Sequence, residues 1–306
     1  KTELALTVSG YSATYDGKAH GITVDLAESD AVVYYCTETE LTAENYKTDG
    51  SITAPTRTDA GKTTVYYYVE SANYEPKPVA GSKDIEITQA ILTVTAEAKE
   101  KTYGEEDPEF TYQAEGFVND ETKASVLSGE LTREEGENVG TYVIGQGTLK
   151  ANENYTISYT EADLSIHEAT LIVTAEGKEK TYGEDDPELT YQISGLVSED
   201  TAEKVLTGAL TREEGENVGT YAITQGNLTA NDNYNISFAG ADFRIRKTEV
   251  TLTAPQAQDL TYNGQVQGLV NAGEVTGGTM QYALGTKDAA TEPYTTSIPK
   301  ETNAGT

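Results

Sequence analysis

Short runs of alternating apolar and polar residues recur along most of the chain. Phe110–Tyr112, Thr141–Ile144 and Tyr155–Tyr159 alternate in this way, and Ile91–Ala96 and Leu171–Ala175 are rich in β-branched residues. Glycine and asparagine turn signals separate these runs. The pattern predicts an all-β protein built from many short strands, in the manner of a β-sandwich.

The strand pattern repeats with a fixed period. Leu131–Tyr142 returns letter for letter as Leu210–Tyr221. A fixed period as long as a small domain indicates a tandem array of similar modules. The one helical pattern, Asp120–Leu127, returns at the same offset as Glu199–Leu206. It is too short for more than a turn or two of helix.

The flanking sequence carries diverged copies of the same landmarks. Tyr15-Asp-Gly17 and Asn73-Tyr74 mark a first module, and Val250-Thr-Leu252 with Tyr262-Asn-Gly264 opens a fourth. The fourth ends at Asn303–Thr306, the landmark that precedes the last two strands of the other modules. We therefore expect the polypeptide to continue, or another chain to supply those strands. The predicted modules are residues 1–89, 90–168, 169–247 and 248–306, the last of them incomplete.

The predicted joints between modules are short. Asp84–Thr88 runs into Ile91 across Gln89-Ala90, and only His167–Ala169 separates the second module from the third. Linkers of two or three residues without glycine or serine are stiff. Strands of roughly 8–10 residues at about 3.3 Å each give roughly 30–40 Å per module. The sequence thus predicts tandem β-sandwich modules arranged as an elongated rod.

Composition restricts the function. The chain has 21 basic and 51 acidic residues and a net charge of −30. Nucleic acids and anionic membranes attract positively charged surfaces, so neither is an expected partner. No apolar run is long enough to span a membrane. The single cysteine, Cys36, lies in an apolar run and is predicted to be a small buried residue.

Two acidic clusters are candidate metal sites. Oxygen-rich loops bind Ca²⁺, although these lack the spacing of an EF-hand, and a solvated acidic turn is the alternative. Otherwise no cofactor is expected. The candidate ligands are Glu105, Glu106, Asp107, Glu184, Asp185 and Asp186. The nearby Thr132–Glu137 is also acidic but contains Arg133.

Nothing in the sequence indicates an enzyme. His20 and His167 occupy non-equivalent places in their modules, and no phosphate loop or metal-binding motif occurs. The many tyrosines provide the aromatic rings that a glycan would need. Four of them recur at equivalent positions, which favours core rings whose hydroxyl groups bind backbone, as in a tyrosine corner. These four are Tyr142, Tyr155, Tyr221 and Tyr234.

The ordered landmarks resemble the MBG family. They are Lys101-Thr-Tyr-Gly-Glu-Glu-Asp-Pro-Glu-Phe-Thr-Tyr112, Glu137-Asn-Val-Gly-Thr-Tyr142 and Asn154-Tyr-Thr-Ile157. The resemblance implies Ig-like, mostly-β repeats of large bacterial surface proteins and adhesins. It also implies a structural role as stalk or spacer outside the cell, at the surface or in the wall, with no catalytic residues.

Three further possibilities remain open at this stage. One is an adhesin module that binds a host or neighbouring-cell ligand, either a protein or a glycan. Another is a filament subunit that assembles with further copies of itself by strand complementation, for example through Leu4–Val8. The third is an intramolecular Lys–Asn isopeptide bond, for which Lys99, Lys101 and Asn154 are the candidate residue types, although their polar settings predict exposure.

Overall fold

The computed structural model describes residues 2–27, 30–77, 79–197, 199–285 and 289–302. The chain divides into two compact units, residues 1–169 and 170–306. Their regular secondary structure is almost entirely β-strand, so the predicted all-β, Ig-like tandem fold is confirmed. The module boundaries stay a prediction. Within the described residues, no helix has the length and hydropathy needed to cross a membrane.

Residues 1–89 form a three-stranded sheet in the order β4-β1-β8 and a four-stranded sheet in the order β2-β9-β7-β5. A small β3-β6 pair and one helical turn complete the module. Its elements are β1 (Thr2–Ser9), β2 (Tyr11–Thr14), β3 (His20–Gly21), β4 (Thr23–Leu26), β5 (Val32–Cys36), α1 (Tyr46–Asp49), β6 (Thr56–Arg57), β7 (Gly61–Glu70), β8 (Tyr74–Lys77) and β9 (Ala80–Thr88).

Residues 90–168 repeat this plan with sheets in the orders β12-β10-β17 and β11-β18-β15-β14. The elements are β10 (Ala90–Ala96), β11 (Lys99–Thr102), β12 (Tyr112–Glu115), α2 (Lys123–Val126), β13 (Leu127–Ser128), β14 (Thr132–Arg133), β15 (Gly140–Gly145), β16 (Lys150–Ala151), β17 (Tyr155–Thr160) and β18 (Ala162–His167). The predicted helical stretch is a single turn. Of the predicted strand 110–112, only Tyr112 lies in a strand.

Residues 169–247 show the same order of elements as residues 90–168, with sheets β21-β19-β26 and β20-β27-β24-β23. The elements are β19 (Ala169–Ala175), β20 (Lys178–Thr181), β21 (Tyr191–Ser194), α3 (Ala202–Val205), β22 (Leu206–Thr207), β23 (Thr211–Arg212), β24 (Gly219–Thr224), β25 (Thr229–Ala230), β26 (Tyr234–Ala239) and β27 (Ala241–Arg246). The repeat in sequence is therefore a repeat in structure.

Each sandwich core forms where the inward faces of its two sheets meet. Along β10, the side chains of Ala90, Leu92, Val94 and Ala96 are buried and the residues between them are exposed. Ile144 and Leu164 of the opposite sheet are fully buried within the same core. Burial of each large aliphatic side chain contributes about 1.5–3 kcal/mol. The alternation seen in the sequence thus marks the core face correctly.

The first strands of a module pair in parallel with its last strands. In the second module, β10 runs parallel to β17 in one sheet, and β11 runs parallel to β18 in the other. The first module has the same arrangement, with β1 parallel to β8 and β2 parallel to β9. In the third, β20 runs parallel to β27. The strand that enters a module is therefore hydrogen-bonded to the strand that leaves it.

The joints are even shorter than predicted. Only Gln89 separates β9 from β10, and only Glu168 separates β18 from β19. At the first joint, the hydroxyl groups of Tyr15 and Tyr155 both donate to the carboxylate of Glu121. Burial, together with Glu121, raises the pKa of Tyr155 to about 12. The first two modules therefore share a polar contact as well as a covalent link.

A second contact at this joint involves Asn154. Its side-chain oxygen accepts a hydrogen bond from the backbone N–H of Ala60 at 2.7 Å, and its Nδ2 donates to Asp59 at 3.0 Å. Asn154 of the Asn-Tyr sequence landmark therefore contacts the first module as well as belonging to a turn of the second.

Residues 248–302 form only two-residue strands among the residues described there. These are β28 (Leu252–Thr253), β29 (Gln256–Ala257), β30 (Gln267–Gly268), β31 (Val270–Asn271), β32 (Glu274–Val275) and β33 (Lys300–Glu301). The exposed large apolar side chains include Val250, Leu252, Tyr262, Val266 and Tyr294. The predicted strand 250–252 is reduced to its last residue. The predicted landmark Asn303–Thr306 lies outside the described residues.

Candidate functional site

A buried lysine stands at the centre of a charge cluster in the second module. Lys101 lies in β11 with its side chain turned inward and is 6% exposed. Its ammonium group donates to Asp107 Oδ1 at 2.7 Å, to Glu137 Oε2 at 2.7 Å and to the backbone oxygen of Glu105 at 3.1 Å. All three ammonium protons are thus satisfied, which a buried charge requires.

Arg133 completes the cluster from β14. Its guanidinium binds Asp107 through two nitrogens, with Nε at 2.6 Å from Oδ2 and Nη2 at 3.1 Å from Oδ1. Nη2 also donates to Glu137, while Nη1 donates to the backbone oxygens of Glu134 and Gly136. All five N–H donors are used, in the planar fork geometry that arginine provides.

The same cluster recurs in the third module. Lys180 contacts Asp186 at 2.7 Å and Glu216 at 2.5 Å. Arg212 binds Asp186 with Nε at 2.6 Å and Glu216 with Nη2 at 2.6 Å. Each cluster holds two positive and two negative groups, so it is close to neutral in a chain of strong negative charge. We call the two sets, Lys101/Asp107/Arg133/Glu137 and Lys180/Asp186/Arg212/Glu216, the charge clamps.

A glycine and a tyrosine fix the loop that carries the clamp carboxylate. Gly136 has φ of 143°, and a Cβ added there would lie 2.2 Å from the ring of Tyr142. Arg133 lies 5.4 Å above that ring, and the tyrosine hydroxyl donates to the backbone oxygen of Asn138 at 2.8 Å. Only glycine lets the loop approach the ring this closely.

The predicted backbone contacts of the recurrent tyrosine hydroxyls are present in all four, but only Tyr155 and Tyr234 have the predicted core rings. Tyr142 and its copy Tyr221 bind backbone oxygens four residues upstream, at 2.8 Å in both cases. Tyr155 and Tyr234 are buried, and their hydroxyl oxygens accept hydrogen bonds from the backbone N–H groups of Val118 and Val197. The rings of Tyr142 and Tyr221 are only half-buried, because they cover the arginines of the clamps.

The clamps shift the pKa values of their own groups. Hydrogen bonds from Arg133, and then from Lys101, lower the pKa of Asp107 although burial acts against them. Lys101 and Arg133 lower the pKa of Glu137. Burial alone would lower the pKa of Lys101, but its hydrogen bonds to Asp107 and Glu137 outweigh this and raise it. The charged forms are thus the stable forms in the folded module.

Acid should weaken the clamps. A carboxyl group whose pKa is lower in the folded state stabilises that state above its unfolded pKa, and the contribution disappears as pH falls through the folded pKa. Unfolded values are about 3.9 for Asp and 4.3 for Glu. We therefore expect the melting temperature of residues 90–247 to fall by several degrees as pH drops below about 4.5.

Differential scanning calorimetry from pH 7 to pH 2.5 measures this effect. The control is the double variant Lys101→Met/Lys180→Met, in which the carboxylates have lost a cationic partner and the decline should be smaller. Parallel pH profiles for the two proteins would show that the clamps do not cause the acid sensitivity.

The candidate calcium ligands have other partners in the structure. Asp107 and Asp186 belong to the charge clamps, and a side-chain oxygen of Glu105 accepts the backbone N–H of Thr102 at 2.7 Å. Glu184 accepts the N–H of Thr181 in the same way. Glu106 and Asp185 are exposed. Among the residues that the structure describes, no three His, Cys, Asp or Glu side chains are arranged to hold a metal ion.

The calcium hypothesis stays a prediction with a direct test. If the two acidic loops bind Ca²⁺, millimolar CaCl₂ raises the melting temperature and MgCl₂ does not, because Ca²⁺ accepts irregular oxygen sites more readily. The variant Glu106→Gln/Asp185→Asn leaves the clamps intact and should abolish the shift. Identical melting curves with both salts would end the hypothesis.

The expected exposure of Lys101 is wrong. The strand Lys99–Thr102 contains no apolar residue that would mark its inward face, so its burial is not visible in the local sequence. The recurrence of Lys, Asp, Arg and Glu at one fixed offset, in both copies of the repeat, was the available signal. Lys101 and Asn154 bind different groups, as described above. Lys99 lies 3.6 Å from Glu97.

The remaining candidate residues are held by local contacts. His20 stacks on Tyr11 with ring centroids 4.0 Å apart and lies 2.8 Å from Asp16. His167 lies 3.3 Å from Glu100. Cys36 is partly exposed, not buried as predicted, because it lies at the end of β5 on the edge of its sheet.

The chain was compared with known protein sequences, solved structures and protein families. No curated protein sequence matches the chain. Among solved structures, Drosophila N-cadherin EC1-3 is similar with a TM-score of 0.27 and 9% identity, over 80% of this chain and 99% of that one. The I67–I69 fragment of the titin I-band gives 0.26 and 10%, over 81% and 97%. TM-scores this low carry no inference.

The family comparison is specific. Residues 92–165 and 171–244 each match the family described as MBG domain (YGX type). Tyr-Gly-Glu occurs at 103–105 and again at 182–184. Both matched stretches contain a complete charge clamp and the first part of the pairing of an entering strand with a leaving strand. Residues 92–165 and 171–244, just under half of the chain, therefore match the YGX-type MBG domain family in two tandem copies.

Proposed function

We propose that this chain is a load-bearing spacer in an extracellular repeat protein of a bacterial surface, and that it holds another domain away from the cell. The observation that carries the proposal is the parallel pairing of β11 with β18 and of β20 with β27. The MBG match of residues 92–165 and 171–244 supports an extracellular repeat protein.

Force applied to the ends of a module reaches these strand pairs directly. It enters through β10 and β11 and leaves through β18. Because β11 and β18 run parallel, opposite pulls on the start of β11 and the end of β18 load their hydrogen bonds together, in shear. Antiparallel strands pulled at their open ends would instead lose hydrogen bonds one at a time. A parallel terminal pair therefore raises the barrier to forced unfolding.

The charge clamp supports the same role. Lys101 lies within β11, and its ammonium group ties this strand to Asp107 and Glu137. Arg133 ties both carboxylates to β14. Sliding of β11 past β18 therefore breaks side-chain hydrogen bonds in addition to those of the backbone. Lys180 has the equivalent place in β20.

Single-molecule pulling on the full chain, tethered by its ends, tests the proposal. We expect three unfolding events, because residues 1–89 contain the same parallel strand pairs. The events of residues 90–168 and 169–247 should be similar, each lengthening the chain by roughly 220–250 Å, as a module of about 80 residues requires. The variant Lys101→Met/Lys180→Met should lower the force of these two events. The control Lys99→Met/Lys178→Met should not, since these lysines lie 3.6 Å from their glutamates and are more exposed. Extension without force peaks would contradict a load-bearing role.

Self-assembly is the second candidate, favoured by the exposed apolar side chains of residues 250–294. Light scattering over a concentration series separates the two. A monomer at every concentration supports a spacer. Ordered oligomers that disappear with Leu252→Ser/Val266→Ser would support assembly through this region, while the same substitutions would leave a monomer unchanged.

A further inference from the structure

The outer face of β7 in the first module carries an aromatic cluster that the spacer role does not use. Side chains of Val65, Tyr67 and Val69 point into the core and are buried. Tyr66, Tyr68 and Glu70 alternate with them, so they lie on the opposite face of the sheet. They are half-buried rather than enclosed.

Neighbouring elements fix these rings in place. Tyr34 of β5 is the register partner of Tyr68. Tyr46 of α1 stacks on Tyr68, with centroids 4.2 Å apart and planes 16° apart, and meets Tyr34 edge-on at 4.9 Å. The carboxylate of Glu70 accepts the hydroxyl of Tyr46 at 2.9 Å. The result is an aromatic platform in which the rings of Tyr46 and Tyr68 each cover one face of the other.

A groove of about 570 Å³ opens beside the platform. Its lining includes Tyr46, Tyr68, Glu70, Ser71 and Tyr74. This volume lies within the roughly 300–1,000 Å³ of small-molecule sites. Within the part of the chain that the structure describes, the hydroxyl groups of Tyr68 and Tyr74 have no hydrogen-bond partner. They are therefore available to a ligand.

The equivalent strands of the second and third sandwiches do not carry such a cluster. The equivalent strands β15 and β24 have six residues each, and β7 has ten. Each of the shorter strands contains a single tyrosine, and β7 contains three in succession. The second and third modules form the same pair of sheets without the extension. The additional length of β7 is thus specific to the module that has the groove.

We propose that this groove binds a neutral oligosaccharide. Tyr68 and Tyr74 line the groove, where an aromatic ring can pack against the C–H face of a sugar and a tyrosine hydroxyl can both donate and accept hydrogen bonds. An anionic ligand is disfavoured by Glu70 and Glu75 in the lining. A cationic ligand is also disfavoured, because the ammonium group of Lys47 already occupies the cation position, 5.3 Å from the ring centroid of Tyr46 and 2.8 Å from Glu70.

Saturation-transfer NMR on the full chain tests the proposal. The probes are cello-, malto-, laminari-, manno- and chitohexaose, with choline chloride as the cationic probe. We expect transfer from the protein to at least one hexaose. For that sugar, Tyr68→Ala and Tyr74→Ala should each raise the Kd by at least about tenfold. The matched control is Tyr182→Ala, an exposed tyrosine of the third module, and it should leave the Kd unchanged.

One further variant separates the role of the Tyr68 hydroxyl from that of its ring. Tyr68→Phe keeps the stacked ring and removes only the hydroxyl, so it should bind more weakly than the wild type and more tightly than Tyr68→Ala. If Tyr68→Ala does not fold by circular dichroism, Tyr74→Ala and Tyr68→Phe decide the result. Three results would overturn the proposal. They are no transfer to any hexaose, binding of choline alone, and unchanged affinity in both Tyr74→Ala and Tyr68→Phe.

Discussion

Replacing Lys101 by methionine is expected to lower the free energy of unfolding of residues 90–168 by about 2–4 kcal/mol. Removal of one partner from a fully buried ion pair costs about 3–5 kcal/mol. The lower range applies here because the side chain of Glu137 is 65% exposed and can turn to water. Methionine keeps the aliphatic part of the side chain, so the decrease in the free energy of unfolding measures the contribution of the charge and its three hydrogen bonds.

The matched control for this substitution lies two residues away on the same strand. Lys99→Met removes a lysine with a 24% exposed side chain, 3.6 Å from Glu97. Exposed pairs of this kind contribute up to about 1 kcal/mol. Hydrogen exchange followed by mass spectrometry across a urea series, on peptides of β15 and β18, gives the opening free energy of this module within the full chain. Equal losses in the two variants would contradict the clamp.

Gly136→Ala is expected to destabilise the same module by about 2–4 kcal/mol. Two costs add. A non-glycine residue in a sparsely populated backbone region costs about 1–3 kcal/mol, and overpacking typically costs a similar amount. The added methyl group would lie 2.2 Å from the Tyr142 ring, which covers Arg133, so the clamp must shift as well.

Gly145→Ala provides the control for this second prediction. Gly145 lies in β15 of the same module, has no positive φ, and its added methyl group would come no nearer than 3.9 Å to Thr132. We expect a change of less than about 1 kcal/mol there. The double variant Gly136→Ala/Tyr142→Ala removes the collision and should recover part of the loss when compared with Tyr142→Ala alone. No recovery would show that backbone strain alone is responsible.

The repeat and the strands were predictable because their signals are local. Alternating residues such as those of Ile91–Ala96 lie in the strand that they predict, and the identity of Leu131–Tyr142 with Leu210–Tyr221 is visible without any structure. The helical turn α1 was not predicted, since four residues contain too little periodicity. Residues 250–252 show a strand pattern but form little strand, because packing partners decide whether so short a run pairs.

The clamp could be predicted only in part. The sequence marks Asp107 and Asp186 as candidate calcium ligands, but it does not show the side chains that they contact. Their clamp partners are separated from them in sequence, with Arg133 26 residues from Asp107. Which face of a polar strand points inward depends on the opposite sheet, so the burial of Lys101 is a property of the whole module.

The parallel pairing of β11 with β18 is most directly tested by pulling one module in two directions. In a Cys36→Ser background, Gln89→Cys/Glu168→Cys attaches the force at the two ends of the second module and loads this strand pair in shear. Glu100→Cys/Ser165→Cys attaches it at two register partners on the same pair and pulls them apart. We predict a several-fold higher unfolding force in the first direction. Equal forces in both directions would contradict the load-bearing account.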